Sequence, residues 1–263
     1  MSSTTRANWL IPSALIALSI VPIAGGTFRL VHLGRGVEIT PENARFFAAP
    51  LSVVMHIFGS AIYCILGAFQ FAPGFRRRNP KWHRLAGRVL VVCGLIAALT
   101  GLWMTLVHPP ATFVGELPAS FDGPFLYVIR LLAGSAMALS LYLGVAAVLR
   151  RNFAQHEAWM IRAYALGIGA GTQVFTHLPW FLFPGIRGEL ARTLCMGAGW
   201  AINVAAAEWF ISRKGSVSKG RADVAIAARR QSRTLEHVSG GEVLVVHKQG
   251  QVLGGRPRSG DAE

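Results

Sequence analysis

The sequence has little charge, and most of the charge it has is of one sign. Charged residues make up 14% of the 263 residues, whereas soluble domains carry about 25%. The chain therefore has too few charged side chains to cover a water-soluble globule. With 52% hydrophobic residues, this composition excludes an ordinary cytosolic enzyme and a disordered chain. The three cysteines lie in apolar runs without a Cys-x-x-Cys pair, which excludes a disulfide scaffold.

Common catalytic motifs are missing as well. The sequence has no Gly-x-Ser-x-Gly, His-Glu-x-x-His or Walker element, so hydrolase chemistry has little support and enzyme activity stays an open question. The basic excess is 26 Lys and Arg against 12 Asp and Glu. Most of it is explained by the loops of a membrane protein, so nucleic-acid binding is not expected.

Long apolar runs are what the sequence has in abundance. A membrane-spanning helix needs about 20 predominantly apolar residues, and six runs are long enough. Numbered in chain order, the six predicted spans are Trp9–Phe28, Ala48–Phe71, Leu85–Val107, Pro124–Leu149, Trp159–Phe183 and Glu189–Ile211. They predict an all-α polytopic membrane protein with six transmembrane helices and a four-helix core from spans 2 to 5.

The basic residues indicate the orientation of these spans. One lies before span 1, six lie between 76 and 88, three between 150 and 162, and ten in the tail, all on one side of the six spans. Since cytoplasmic loops are rich in Lys and Arg, both termini are predicted to be cytoplasmic, in a bacterial inner membrane. We divide the chain into a membrane domain, 1–211 with its core at 48–183, and a basic, largely disordered cytoplasmic tail, 212–263.

Two spans carry polar side chains along one helical face. The stripe of span 2 contains His56, Ser60, Tyr63 and Gln70. The stripe of span 5 contains Trp159, Arg162, Gln173, Thr176 and His177, and span 6 adds Asn203. An unpaired polar group is costly inside a membrane, so such residues indicate function. We expect the two stripes to face each other in the bundle interior, because spans 2 and 5 are neighbours in a simple up-down bundle.

His56 and His177 lie at similar depth, near the outer ends of their spans. Imidazole is a usual axial ligand of haem iron, so these two histidines are candidate ligands of haem b, and no metal site is indicated apart from this pair. The alternatives are two buried histidines hydrogen-bonded to polar neighbours, a different metal, or a proton relay.

A second polar group lies at the opposite, inner end of the spans. It comprises His83, Arg84 and Arg88 at the start of span 3 and His156 and Arg162 around the start of span 5. Because guanidinium binds phosphate or carboxylate well, this group is a candidate site for an acidic moiety. Besides the bilayer itself, the expected partners are an anionic lipid or a quinone-like ligand. The alternative is positive-inside topology with snorkelling side chains.

Four segments carry a family resemblance. They are His56-Ile-Phe-Gly, Leu66-Gly-x-x-Gln-Phe, His83-Arg-x-x-Gly-Arg and His156-x-x-Trp-Met-x-Arg. Together they resemble the pattern of domain-of-unknown-function family 2306, predicted bacterial membrane proteins, over roughly residues 48–183. The resemblance implies that His56, His83 and His156 belong to the family signature. The arrangement is also similar, more weakly, to the bundles of two-haem cytochromes b.

Three function hypotheses follow from these features. The first is a haem-binding or redox-linked membrane protein. The second is a small-molecule or lipid transporter that uses the stripes as a polar pathway. The third is a structural or regulatory membrane subunit with the tail as its partner site.

Overall fold

The structure is a computed structural model that describes residues 3–40, 43–107, 113–114, 117–118, 121–216, 220 and 224. The chain divides into two units, Met1–Ile211 and Ser212–Glu263. In the second unit, residues 212–216 are helical. The predicted disordered tail otherwise lies almost wholly outside the described residues.

Helices make up nearly all of the described chain, as predicted. Numbered in chain order, they are α1 (Ser3–Arg35), α2 (Ala44–Ala48), α3 (Pro50–Gln70), α4 (Pro73–Arg78), α5 (Pro80–Val107), α6 (Pro124–Leu149), α7 (Phe153–Gly167), α8 (Gly169–Thr176), α9 (Leu178–Leu182) and α10 (Glu189–Ser216). A 3₁₀ turn follows α9 at Pro184–Ile186. Two short antiparallel strands, β1 (Phe113–Val114) and β2 (Leu117–Pro118), precede α6.

Proline marks where several of these helices begin. Pro50, Pro80 and Pro124 are the first residues of α3, α5 and α6, where the missing N–H costs nothing because that donor has no partner within the helix. α7 begins differently, since the Asn152 side chain accepts a hydrogen bond of 3.1 Å from the Gln155 backbone N–H, a standard N-cap.

Five of the described helices are long and apolar enough to cross a membrane. They are Trp9–Arg35 within α1, α3, α5, α6 and α10. Their outward faces carry exposed large hydrophobic side chains, for example Leu51, Leu85 and Leu132, as a lipid-facing surface requires. The prediction of a multi-pass helical membrane protein is therefore confirmed.

The fifth predicted span, Trp159–Phe183, is not one helix. It is divided among α7, α8 and α9, with breaks at Ile168 and His177. The first break lies among three glycines, which weaken a helix, and the packing places large groups against them. A side chain at Gly169 would overlap the Trp200 ring, and one at Gly171 would overlap the Leu18 backbone of α1.

The helices pack so that α3 lies between α1 and α5, α5 contacts α6, and α6 contacts α7. We call the end of the bundle where α3 and α6 begin the Asp122 end, and the end where α5 begins the His83 end. α3 contacts α7, but α1 packs against both α3 and α8. Spans 2 and 5 therefore meet in the half of the bundle toward the His83 end and separate toward the Asp122 end.

Candidate functional site

A cavity of about 490 Å³ opens where α3 and α8 separate. Residues of α1, α2, α3, α5, α6, α7, α8 and α10 line it, and most are apolar. Its polar side chains come mainly from α3 and from arginines at the Asp122 end, namely Ser19, Arg29, Arg45, His56, Ser60, Tyr63, Thr105, Arg130 and Gln173. We call this space the central cavity.

The α3 stripe forms one wall of the central cavity. His56, Ser60 and Tyr63 all line it, whereas Gln70, nearer the His83 end, does not. The His56 Nδ1 lies 2.9 Å from the Ala97 carbonyl oxygen. Because a carbonyl only accepts, Nδ1 carries the proton, and Nε2 of the neutral ring keeps its lone pair. His56 thus presents an oriented acceptor beside the cavity.

Two tyrosines close the central cavity toward the His83 end. The Tyr63 and Tyr164 rings lie 5.7 Å apart between centroids, and the Tyr164 hydroxyl donates to the Cys64 carbonyl at 2.7 Å. Glycine makes this arrangement possible, since a side chain at Gly67 would overlap the Tyr164 ring. We call Tyr63 and Tyr164 the tyrosine layer. Both rings are buried, and α3 and α7 meet here.

At the opposite end, Asp122 gathers three arginines from different elements. Its carboxylate lies 2.8 Å from Arg130 of α6 and 3.7 Å from Arg45 of α2, and it pairs closely with Arg192 of α10. Burial is the largest single effect and would raise the pKa of Asp122. The charges and hydrogen bonds of Arg130 and Arg192 outweigh it, so the pKa lies below its ordinary value.

Arg45 is incompletely satisfied by these contacts. Its Nε is buried and has no hydrogen-bond partner among the described residues. Burial, followed by repulsion from Arg130, lowers the pKa of Arg45 to about 10. Arg29 joins it from α1, and both guanidinium groups lie over the Phe46 ring, at 4.1 Å for Arg29 and 4.7 Å for Arg45. The Asp122 end of the cavity is therefore strongly cationic.

The polar stripe of the broken span faces α10 rather than α3. Gln173 Nε2 donates to the Met196 carbonyl at 3.2 Å, and the Thr176 hydroxyl donates to the Cys195 carbonyl at 2.6 Å. Asn203 of α10 joins the two sides of the break. Its amide donates to the Ala165 carbonyl at 3.0 Å, and its oxygen accepts from the Thr172 hydroxyl at 2.7 Å. Much of this stripe therefore holds helices together.

His177 does not share the central cavity with His56. It is absent from the residues that line the cavity, and its Nδ1 lies 2.8 Å from the Gln173 carbonyl, one turn back along its own segment. The structure describes no group of three or more metal-ligating side chains. The pairing of His56 with His177 on one iron stays a prediction.

The inner group of predicted residues divides into three environments at the His83 end. Arg162 is held by Glu208 of α10 through two hydrogen bonds of 2.5 and 2.8 Å and lies over the Trp159 ring at 4.6 Å. Arg84 and Arg88 are exposed on the outer surface of α5.

The two histidines of this group are more enclosed. His156 bonds through Nδ1 to the Gly144 carbonyl at 2.8 Å. His83 Nδ1 and both amide atoms of Gln70 are buried without a hydrogen-bond partner in the described part of the chain.

Sequence reasoning missed the residues that give the cavity its charge. Asp122, Arg29 and Arg45 were not predicted as site residues. Asp122 lies just before predicted span 4, and Arg29 and Arg45 lie between predicted spans 1 and 2 at the same end of the bundle. That pattern is a usable signal, since a buried acid at a span end needs cationic partners.

One of three comparisons with known proteins found a match. The model of DUF2306, described as a predicted membrane protein, matches residues 53–211, a range that includes most of α3, all of α4 to α9 and most of α10. Neither the curated proteins nor the solved structures gave a match.

Proposed function

We propose that the central cavity of this protein, which belongs to DUF2306, a family of predicted membrane proteins, binds an amphipathic molecule with an acidic head group. The ligand class is that of an anionic lipid or an acidic, quinone-like compound. Its acid lies among the arginines at the Asp122 end, and its apolar part lies between α3, α5 and α6.

One observation carries this proposal: three arginines line one end of an otherwise mostly apolar cavity. Arg29, Arg45 and Arg130 all reach it, and Asp122, a buried acid at this end, is already shared by three arginines. Guanidinium groups in a partly dehydrated site are stabilised by a carboxylate or phosphate that accepts their hydrogen bonds.

The dimensions of the cavity support the same class of ligand. A volume of about 490 Å³ lies within the range of roughly 300–1,000 Å³ typical of small-molecule sites. From His56 to Tyr63 the wall of α3 extends about 10 Å further into the bundle. An acyl or isoprenoid chain packs against the mostly apolar lining of such a space.

We also propose that the broken segment crosses the bilayer, giving six crossings with both termini in the cytoplasm of a bacterium. Glu157 of α7 pairs with Arg76 at 3.4 Å at the His83 end. Trp180 of α9 packs on Phe121 with 5.0 Å between ring centroids at the Asp122 end. The chain between them therefore traverses the bundle. The His83 end carries more basic residues, which favours that end as the cytoplasmic one.

Binding of oleate to the purified protein in detergent tests the proposal, with oleyl alcohol as the uncharged ligand of equal chain length. We expect oleate to bind more tightly than the alcohol. Arg45→Gln should weaken oleate binding about tenfold or more, since a hydrogen bond to a charged group contributes about 1.5–3 kcal/mol. Arg35→Gln is the matched control, because Arg35 is exposed at the same end and does not line the cavity. Equal affinity for acid and alcohol would overturn the proposal.

Haem b is a second candidate, favoured by the orientation of His56. The residues present fit it in part: His56 Nε2 is free to bind iron, hydrogen bonding of Nδ1 to a backbone carbonyl is usual for ligating histidines, and the arginines suit the two propionates. Bound haem would supply electron transfer. His177, the other predicted ligand, lies outside the cavity lining. A visible spectrum after expression with ample haem tests this candidate. A Soret band lost in His56→Ala supports it, and no band refutes it.

A further inference from the structure

The strongest unexplained feature outside the central cavity is a set of buried polar atoms at the His83 end. Both amide atoms of Gln70 and the Nδ1 of His83 are buried with no hydrogen-bond partner among the described residues. Buried polar groups are nearly always bonded, so each exception requires an explanation, and ligand binding is one.

These atoms lie at the same level of the bundle. α3 and α5 are antiparallel neighbours, and Gly59 lies against Cys93 and Ala97. Eleven residues further along α3, and eleven back along α5, this register places Gln70 level with residues 82–86. The unsatisfied amide and imidazole therefore belong to one layer of the bundle.

Two arginines and a further histidine surround this layer. Arg76, Arg84 and His156 lie close enough to His83 to act on it electrostatically, with Glu157 as the acidic group among them. Glu157 already pairs with Arg76 at 3.4 Å. A carboxylate or phosphate would accept hydrogen bonds from the Gln70 amide and from an Nδ1–H of His83, and the surrounding charge would stabilise it.

The tyrosine layer separates this region from the central cavity. Tyr63 lines the cavity, whereas Gln70, seven residues further along α3, does not. Between them the Tyr164 ring fills the space above Gly67, and Phe71 packs on Tyr164 with 5.0 Å between centroids. The polar face of α3 is thus interrupted once, by aromatic rings.

We propose that Gln70 and His83 form a second acid-binding site, reached from the side of the membrane at the His83 end, whereas the central cavity is reached from the side at the Asp122 end. Together the two sites form a pathway for an acidic solute, and the tyrosine layer between them closes it. The ligand class rests on the proposed function of the central cavity, but the access route does not.

Cysteine labelling in sealed vesicles tests both parts. Ser60→Cys reports on the central cavity and Gln70→Cys on the second site, each treated with a membrane-impermeant methanethiosulfonate carrying either a sulfonate or a trimethylammonium group. Gly185→Cys and Arg78→Cys mark the two sides, since both positions are exposed at opposite ends. The unchanged chain gives the background from its own three cysteines.

We expect Gln70→Cys to react only from the side that labels Arg78→Cys, and Ser60→Cys only from the side that labels Gly185→Cys. At Gln70→Cys the sulfonate reagent should react about tenfold faster than the cationic one, relative to their rates with a free thiol, and His83→Ala should reduce that preference. If Gln70→Cys does not fold, His83→Cys replaces it.

Labelling of Gln70→Cys from the side that labels Gly185→Cys would overturn the second site. So would the absence of labelling at both Gln70→Cys and His83→Cys. Faster reaction with the cationic reagent would overturn its acid preference. Oleate serves as a separate arm: protection of Ser60→Cys by oleate reports on the central cavity alone. Failure of the proposed function and failure of this inference are therefore distinguishable.

Discussion

Two polar stripes of similar composition have different roles in this protein. The stripe of α3 places His56, Ser60 and Tyr63 along a cavity, with His56 Nε2 left unbonded by its backbone contact. The stripe of the broken span places Gln173 and Thr176 on backbone carbonyls of α10. A polar residue in a membrane helix therefore indicates a ligand site only if neighbouring helices leave it unsatisfied.

The largest expected effect comes from Asp122, which joins Arg45 of α2 and Arg130 of α6 to Arg192 of α10. Asp122→Asn leaves three arginines without their shared carboxylate, and we expect a loss of about 3 kcal/mol in stability. This is the lower end of the range for breaking a buried pair, because the arginine side chains are 18–30% exposed. Unfolding in detergent measures it, with exposed Glu38→Gln as the control. Equal stability of both variants would show that the cluster does not hold these elements together.

The same carboxylate predicts a pH dependence. Because the pKa of Asp122 is lowered in the folded protein, its contribution is present at neutral pH and is lost as the pH falls below the ordinary aspartate pKa and through that lowered value. Unfolding measured between pH 7 and pH 3 should show a decline that is smaller in Asp122→Asn. An identical decline in both proteins would assign the effect to other groups.

The packing of the tyrosine layer between α3 and α7 can be tested at Gly67. Gly67→Ala forces the Tyr164 ring to move, so we expect a cost of about 1–3 kcal/mol, as for overpacking. Gly87→Ala is the matched control, since nothing lies within 4 Å of a side chain there. It should be neutral or stabilise the protein by up to about 1 kcal/mol. A thermal-unfolding series compares them, and similar Tm values would mean that the tyrosine layer is loosely packed.

Asn203 tests whether the second stripe is structural. Asn203→Ala removes the hydrogen bonds to the Ala165 carbonyl and the Thr172 hydroxyl, which should cost about 1–2 kcal/mol. Gln155→Ala, at an exposed position, should cost less than about 0.5 kcal/mol. Detergent unfolding distinguishes them, and a neutral Asn203→Ala would remove the reason for treating α8 and α10 as tied together.

The smallest expected effects come from removing one hydroxyl group from each of the two stripes. Thr176→Val keeps the shape of the side chain but loses the 2.6 Å bond to Cys195, so we expect a loss of about 1 kcal/mol with unchanged oleate affinity. Ser60→Ala should alter stability by less than about 0.5 kcal/mol, since it faces the cavity. If Ser60→Ala were the more damaging substitution, the assignment of roles to the two stripes would be reversed.

Much of the fold could be predicted because a membrane-spanning helix can be recognised from its own stretch of sequence. Apolar length predicted α3, α5, α6 and α10, and helical spacing placed His56, Ser60 and Tyr63 on one face. The break at Ile168 was not predictable, because glycines of this spacing also occur in continuous, tightly packed helices. What distinguishes this segment is the packing of Trp200 and Leu18 against it, which only the tertiary structure supplies.

The arginine cluster illustrates the same limit. Arg45, Arg130 and Arg192 are far apart in the sequence, and each one alone resembles an ordinary interfacial arginine. Only the convergence of α2, α6 and α10 makes them a site. The inner group was likewise predicted as one cluster, yet Arg162 is paired with Glu208, an acid whose role was not predicted.

In the six-crossing topology proposed above, the division of the predicted fifth span has a consequence for biogenesis. Neither α7 nor α8 is long and apolar enough to be a spanning segment by itself, and α7 carries Arg162. The partners that offset this, Glu208 and Asn203, are supplied by α10, which is synthesised later. We therefore expect the broken segment and α10 to enter the bilayer together as a hairpin. A ribosome that stalls before α10 would leave α7 and α8 outside the membrane.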